Sequence, residues 1–124
     1  MAAPSNIAVP SKITVLGGGS FGTAIANMIA ANGHDVVLWM RDQENAELCS
    51  QTHENTRYLP GYPLESTLKF SSDLQSCLQN AEVVFFSIPS KAFRQIAQQA
   101  KVYISAGTQV ISTAKGIEAQ TFKL

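Results

Sequence analysis

Apolar positions in this chain alternate between two forms: compact β-branched or aromatic runs, and longer stretches with apolar residues at helical spacing. Lys12 to Leu16 is the first compact run. It ends at three glycines, and the small and apolar residues from Phe21 to Ala31 then suit a closely packed helix. Asn32-Gly33 provides a helix stop, and Val36 to Trp39 is long enough for a strand buried on both faces. Asp42 is placed to cap a short helix through about Ser50, whereas Asn55 to Pro63 carries Pro60, Gly61 and Pro63 and is predicted to be largely irregular. Leu68 to Phe70 reads as a third strand. Ser72 or Asp73 then caps a helix reaching about Gln79, with Leu74 and Leu78 on its inner face. Val83 to Ile88 is the clearest buried strand; Pro89 stops it, and Ser90 caps a helix whose Phe93, Ile96, Ala97 and Ala100 share one stripe. Gln109 to Thr113 is a further strand, running into Ala114-Lys115-Gly116.

Strands and helices thus alternate along the chain, the pattern of an α/β protein with a doubly wound, mostly parallel sheet of Rossmann type, helices on both faces and right-handed crossovers. A length of 124 residues supports one hydrophobic core. Residues 1–11 are small, contain proline and lack a continuous apolar stretch, so they read as a loose tail rather than a signal peptide or membrane span; residues 12–124 form the domain.

Charge changes the picture by exclusion. Nine basic and nine acidic residues cancel, which argues against a protein held on nucleic acid or anionic lipid. Cys49 and Cys77 lie far apart and in no metal-binding spacing, so they read as reduced, partly buried thiols, as expected in the cytoplasm. His34 and His53 have no partner pattern and are read as structural or exposed.

Candidate chemistry begins at Gly17-Gly18-Gly19-Ser20-Phe21-Gly22, a GxGxxG pattern. Glycine-rich turns are common, and it is the position between a strand and a helix that gives this one meaning. Gly17 then permits the tight turn, Gly19 lets backbone approach a pyrophosphate, and Gly22 lets helix and strand pack closely. The free N–H groups and the positive end of the helix dipole favour phosphate. An acidic residue usually follows about 20 positions on, at the end of the second strand, to bind the adenosine ribose of NAD. Here that strand ends Trp39-Met40-Arg41-Asp42. Arg41 is read either as a solvated surface residue or as the partner of an adenosine 2′-phosphate, which slightly favours NADPH over NADH; Asp42 is read either as a helix cap or as a ribose ligand. Pro89 and Ser90 close their strand at the carboxyl edge, where open α/β sheets bind ligands. Phe93 is either core or a wall of the cofactor cleft. Lys115 is either a lone surface lysine or a cation at the nicotinamide end that contacts an anionic substrate.

These residues together resemble a specific family, the NAD(P)-dependent glycerol-3-phosphate dehydrogenases, in their bacterial form. Three segments carry the resemblance: Gly17-Gly18-Gly19-Ser20-Phe21-Gly22-Thr23-Ala24, Asn55-Thr56-Arg57-Tyr58-Leu59-Pro60-Gly61, and Thr113-Ala114-Lys115-Gly116. Asn32 to Trp39 and Ile88-Pro89-Ser90 add to it. The resemblance implies hydride transfer between NAD(P)H and dihydroxyacetone phosphate, giving sn-glycerol 3-phosphate for phospholipid synthesis. It implies that Ser20 and Phe21 touch the cofactor, that Arg41 lies at the 2′-phosphate region, that Tyr58 covers part of the cleft, and that Lys115 meets both cofactor and substrate. A cation there offsets charge developing on the carbonyl oxygen as hydride arrives. Family members continue into a helical substrate domain that holds a further, catalytic lysine. No catalytic residue is therefore expected before Leu124, and the chain reads as truncated at its C-terminal end, inactive by itself, and a homodimer only when full length. The other readings are a non-catalytic dinucleotide-binding or redox-sensing module, and a reductase of another small anionic carbonyl compound.

Overall fold

In a computed structural model, residues 11–112 are described. They form one five-stranded sheet in which every pairing is parallel. The first strand, β1 (Lys12–Leu16), occupies the centre. The chain first builds outward on one side, through α1 (Ser20–Ala31), β2 (Asp35–Trp39), α2 (Gln43–Thr52) and β3 (Lys69–Ser71). It then crosses over β1 through α3 (Leu74–Leu78) to lay down β4 (Val83–Phe86), α4 (Ser90–Lys101) and β5 (Gln109–Ser112). The strand order β3-β2-β1-β4-β5 therefore reverses direction at β1, between β2 and β4. A reversal of this kind splays the connecting loops apart at the strands' carboxyl ends and opens a crevice there.

The strict alternation of side chains along each strand sorts the core into two layers. Ile13, Val15, Val36, Leu38 and Val83 point to one face, where they pack with Ala26 and Ala30 of α1 and Ala46 and Cys49 of α2. Leu16, Trp39, Val84 and Phe86 point to the other, against Cys77 and Leu78 of α3 and Ile96 and Ala100 of α4. Thr14 is the buried polar exception in β1; its Oγ1 donates to the carbonyl of Cys77 and ties α3 to the sheet. The thiols of Cys49 and Cys77 are both free and buried, and burial raises both above the ordinary thiol range.

Two expectations for the fourth strand are corrected. The ladder of β4 ends at Phe86 instead of continuing to Ile88. One more bond, from Ser87 N to Leu16 O at 2.9 Å, holds the chain as it leaves the sheet. Ser90 does not cap α4: it is the first helical residue, Pro89 takes the N-cap position, and no side chain caps the helix. Proline fits here because the first helical turn needs no donor from it and its fixed φ suits the entry. The helix after β3 is likewise shorter than expected, and Asp73 at its N-cap makes no side-chain capping bond.

Candidate functional site

At the turn from β1 into α1 the three glycines of the motif meet three different environments. Gly17 has φ +123°, and a Cβ there would lie 2.2 Å from the carbonyl oxygen of Ser87. Its N–H donates to Trp39 O at 2.9 Å, so the turn is pinned to both neighbouring strands' ends. A Cβ on Gly22 would lie 2.0 Å from Gly17 O, so α1 approaches the turn as closely as only glycine allows. Around Gly19 nothing lies within 4 Å of a built Cβ, and its backbone is extended, with φ −74°. Two glycines are therefore required by protein packing and the third faces open space. That is the division of labour a pyrophosphate-binding turn demands: the middle glycine is kept bare for the ligand.

Gly19 is also the N-cap of α1, without a side chain to satisfy the first turn and without an acidic residue in that turn. The N–H groups that a helix start leaves without intrahelical acceptors thus border the crevice, with the positive end of the helix dipole behind them. The crevice has a volume of about 940 Å³. Its lining runs from Gly17–Gly22 across the ends of β2 and β4, bringing Arg41, Asp42, Tyr58, Pro89 and Ser90 to one place.

Of the residues singled out in the sequence, Gly17, Gly19, Ser20, Phe21, Gly22, Arg41, Tyr58 and Pro89 all line this cleft. Phe21 and Tyr58 leave 59% and 48% of their surface exposed, as is typical of aromatic side chains at a ligand's edge rather than in a core. Phe93 is not among the lining residues; it packs edge-on against Phe86, with centroids 5.5 Å apart, in the core layer beneath. Its neighbours on α4, Ala92 and Ile96, form that wall instead. Lys115 lies outside the described residues.

Asp42 is the helix cap read from the sequence. Its Oδ1 accepts from Glu44 N at 3.0 Å and Asn45 N at 3.4 Å, capping α2, and its Oδ2 pairs with Arg57 Nη1 at 2.6 Å. Both carboxylate oxygens are committed to the protein. The Arg57 guanidinium, with the capping bonds, holds this carboxyl below the usual carboxylate range. A depressed folded-state pKa adds stability that is present above the unfolded value, near pH 4, and lost as pH falls through the folded value. Replacing Asp42 with Asn is expected to flatten the acid limb of the stability curve, measured as unfolding midpoint between about pH 2 and 6, while keeping the cap.

Asn55, to which no motif or spacing assigns a role, is fully buried at 0% exposure. Its Nδ2 donates to Gly18 O at 3.0 Å and to Thr23 Oγ1 at 2.9 Å. Its Oδ1 accepts from Asn45 Nδ2 at 3.3 Å and Tyr58 N at 3.4 Å. One side chain thus joins the glycine turn, α1, α2 and the long loop. Thr23 Oγ1 continues the network to Gly19 O at 2.7 Å. The loop expected to be irregular is therefore anchored, further held by Gly61 N on Glu54 Oε2 at 2.8 Å and Glu65 N on Asn27 Oδ1 at 2.7 Å. Met40 and Trp39, whose buried indole Nε1 has no hydrogen-bond partner among the described residues, form part of the floor. Among the described residues no group of three or more His, Cys, Asp or Glu is placed to hold a metal, and no helix is long and apolar enough to cross a membrane.

A parallel sheet with its order reversing at β1, and a bare-backed glycine turn at that reversal, define a dinucleotide-binding α/β domain. Comparison with known proteins narrows the class: residues 12–124 match the family described as NAD-dependent glycerol-3-phosphate dehydrogenase N-terminus, and the chain belongs to that family. A glycerol-3-phosphate dehydrogenase [NAD(P)+] of Teredinibacter turnerae is 51% identical over 113 residues, which are 91% of this chain and 33% of the relative. A crystal structure of glycerol-3-phosphate dehydrogenase from Coxiella burnetii superposes with a TM-score of 0.81 at 33% identity, covering 90% of this chain and 34% of that one. The corresponding yeast structure also gives 0.81, at 30% identity over 86% of this chain and 34% of its own. The chain spans about a third of the length of the curated relatives it matches.

Proposed function

We propose that this chain is the cofactor-binding part of a dehydrogenase that moves a hydride between NAD(P)H and dihydroxyacetone phosphate, giving sn-glycerol 3-phosphate. The observation that carries the reading is the open space at Gly19, framed by Gly17 and Gly22 in backbone contact. It is supported by the name the relatives carry, glycerol-3-phosphate dehydrogenase [NAD(P)+]. The residues present suit the cofactor: Gly19, Ser20 and Phe21 take the pyrophosphate on backbone N–H groups, Tyr58 and Pro89 flank it, and Arg41 takes the adenosine end. When bound, the nicotinamide supplies or accepts the hydride at the substrate's carbonyl carbon. Lys115 meets the negative charge on the substrate's oxygen or phosphate. The reaction supplies glycerol phosphate for phospholipids in the cytoplasm, with catalysis completed by a lysine outside this sequence and the whole enzyme working as a homodimer.

Titration of the chain with NADPH and NADH, followed by quenching of its single tryptophan, Trp39, tests the cofactor half of this reading; saturable binding is expected, and its absence for both cofactors would overturn it. Arg41 is exposed and its Nη2 makes one long contact, 3.4 Å, to Gln95 Oε1, so it is available for a 2′-phosphate. Arg41→Ala is expected to weaken NADPH by about 1.5–3 kcal/mol, the scale of a hydrogen bond to a charged group, and to leave NADH nearly unchanged. The substrate half is tested by a chimera in which residues 12–124 replace the matched third of the Teredinibacter turnerae relative. Dihydroxyacetone phosphate should then elicit NADPH oxidation. A chimera that binds NADPH but does not oxidise it, beside an active parent, would reject the substrate.

A further inference from the structure

Asp42 is the only carboxylate among the described residues that line the cleft, and it follows Arg41 at the carboxyl end of β2. In this part of a dinucleotide fold an acid ordinarily accepts the ribose hydroxyls of NAD and repels the 2′-phosphate of NADP. Here the acid is disarmed in two ways. Oδ1 is turned onto the N-terminus of α2 and Oδ2 onto Arg57, a residue of the long loop that reaches back across 15 positions to make the pair. Arg57 directly precedes Tyr58, which is itself part of the cleft lining. Two arginines and one aspartate thus stand at the adenosine end. Arg57 and Asp42 cancel, leaving Arg41, with its long Gln95 contact, as the net positive charge.

We propose that Arg57 is a cofactor-selecting residue that acts through Asp42: by pairing with its Oδ2 it keeps a carboxylate at the end of β2 from excluding a 2′-phosphate, and so admits NADPH. The proposal rests on the dinucleotide reading of the cleft and adds to it the element that sets cofactor choice. Arg57 is a positioning residue in this scheme. It works by neutralising and orienting Asp42, and the phosphate itself is met by Arg41.

The scheme separates from direct phosphate binding by a double substitution. Arg57→Ala frees Asp42 Oδ2, so NADPH affinity is expected to fall about tenfold, the effect of an unscreened like charge a few ångströms away, while NADH affinity stays level or rises. Adding Asp42→Asn to Arg57→Ala removes the freed charge and keeps a good helix cap, so NADPH affinity should return to within about threefold of the unsubstituted chain. Both are read as dissociation constants for NADPH and NADH from Trp39 quenching, with circular dichroism confirming an unchanged fold; the pair is solvent-exposed, so neither substitution opens the core. Loss of NADPH binding that Asp42→Asn does not rescue would show that Arg57 touches the phosphate directly and would overturn the proposal. An equal loss for both cofactors would assign Arg57 to loop structure and overturn it as well. If the unsubstituted chain binds neither cofactor, the dinucleotide reading itself falls, an outcome distinct from the other two.

Discussion

Gly19→Asp is expected to leave the fold of this domain intact and to remove its dinucleotide binding. Position 19 has an extended backbone that any residue adopts, and a Cβ there meets no protein atom within 4 Å. It is also the N-cap of α1, where aspartate is among the preferred residues and where the present glycine offers no side chain. Aspartate should therefore change stability by less than about 1 kcal/mol, with gain as the favoured sign, because its carboxylate bonds to the helix's free N–H groups and suits the dipole. Those same N–H groups are the ones a pyrophosphate would use. The new carboxylate occupies them, fills the open space and sets like charge against the ligand. Losing one charge-assisted bond at about 1.5–3 kcal/mol lowers affinity by about ten- to a hundredfold, and losing two by about a hundredfold or more. Thermal unfolding and NADPH titration on the same preparation check the two halves. A variant that melts as before and still binds would show that the bare glycine is not the phosphate site. Gly17 and Gly22 offer no such separation, because a side chain there collides with Ser87 O or Gly17 O and disturbs fold and ligand together.

Elements governed by local patterns are legible in the sequence itself. The apolar runs at Lys12 to Leu16 and Val36 to Trp39 match β1 and β2 because a strand buried on both faces has no polar alternation to obscure it. The glycine spacing locates the turn because each glycine answers a different steric demand within six residues. The apolar pattern overextends β4, since Ser87 and Ile88 are as small or apolar as the strand itself; its partner β1 ends at Leu16, and Ser87 O lies over Gly17 instead of continuing the ladder. Serine ahead of a helix is a frequent cap, yet the chain enters α4 one residue earlier and Pro89 takes that position. Phe93 shares its periodicity between core and cleft, and the half-buried ring makes an edge contact with Phe86 that no spacing announces. The pairing of Asp42 with Arg57 and the bonds from Asn55 to Gly18 and Thr23 are illegible for a related reason. A partner 15 or more positions away leaves no trace in spacing.

Asn55→Leu is expected to be the most damaging substitution outside the glycines. The two side chains share their branching and number of heavy atoms, but leucine's methyl groups are bulkier than the amide, so the change adds some overpacking to the loss of hydrogen bonds in this buried site. Asn55 satisfies both of its donors, on Gly18 O and Thr23 Oγ1, and both acceptor sites of Oδ1, from Asn45 Nδ2 and Tyr58 N. Leucine removes all four bonds at once in a position with no exposure to water. Some neighbours have a second partner: Asn45 Nδ2 keeps a 3.6 Å contact to Met40 Sδ, and Gly18 O gains the single Thr23 hydroxyl proton only at the expense of Gly19 O, 3.4 Å against 2.7 Å. With about one buried group left wholly unpaired, at about 1–3 kcal/mol, and the remaining bonds weakened, the loss should be about 3 kcal/mol. Urea unfolding would show it as a lower midpoint at unchanged m-value. Cofactor affinity should fall further than stability alone requires, because the Gly18-Gly19 peptide and the Tyr58 edge of the cleft lose their common anchor. Asn55→Asp provides the contrast: it keeps the acceptors for Asn45 and Tyr58, loses the donor to Gly18 O, and leaves Thr23 free to turn its hydroxyl toward the new carboxylate. It should therefore lose less at low pH, where the protonated acid regains one donor, than at neutral pH. A cost below about 1 kcal/mol for Asn55→Leu, with cofactor binding unchanged, would mean that the loop and the glycine turn hold their positions independently.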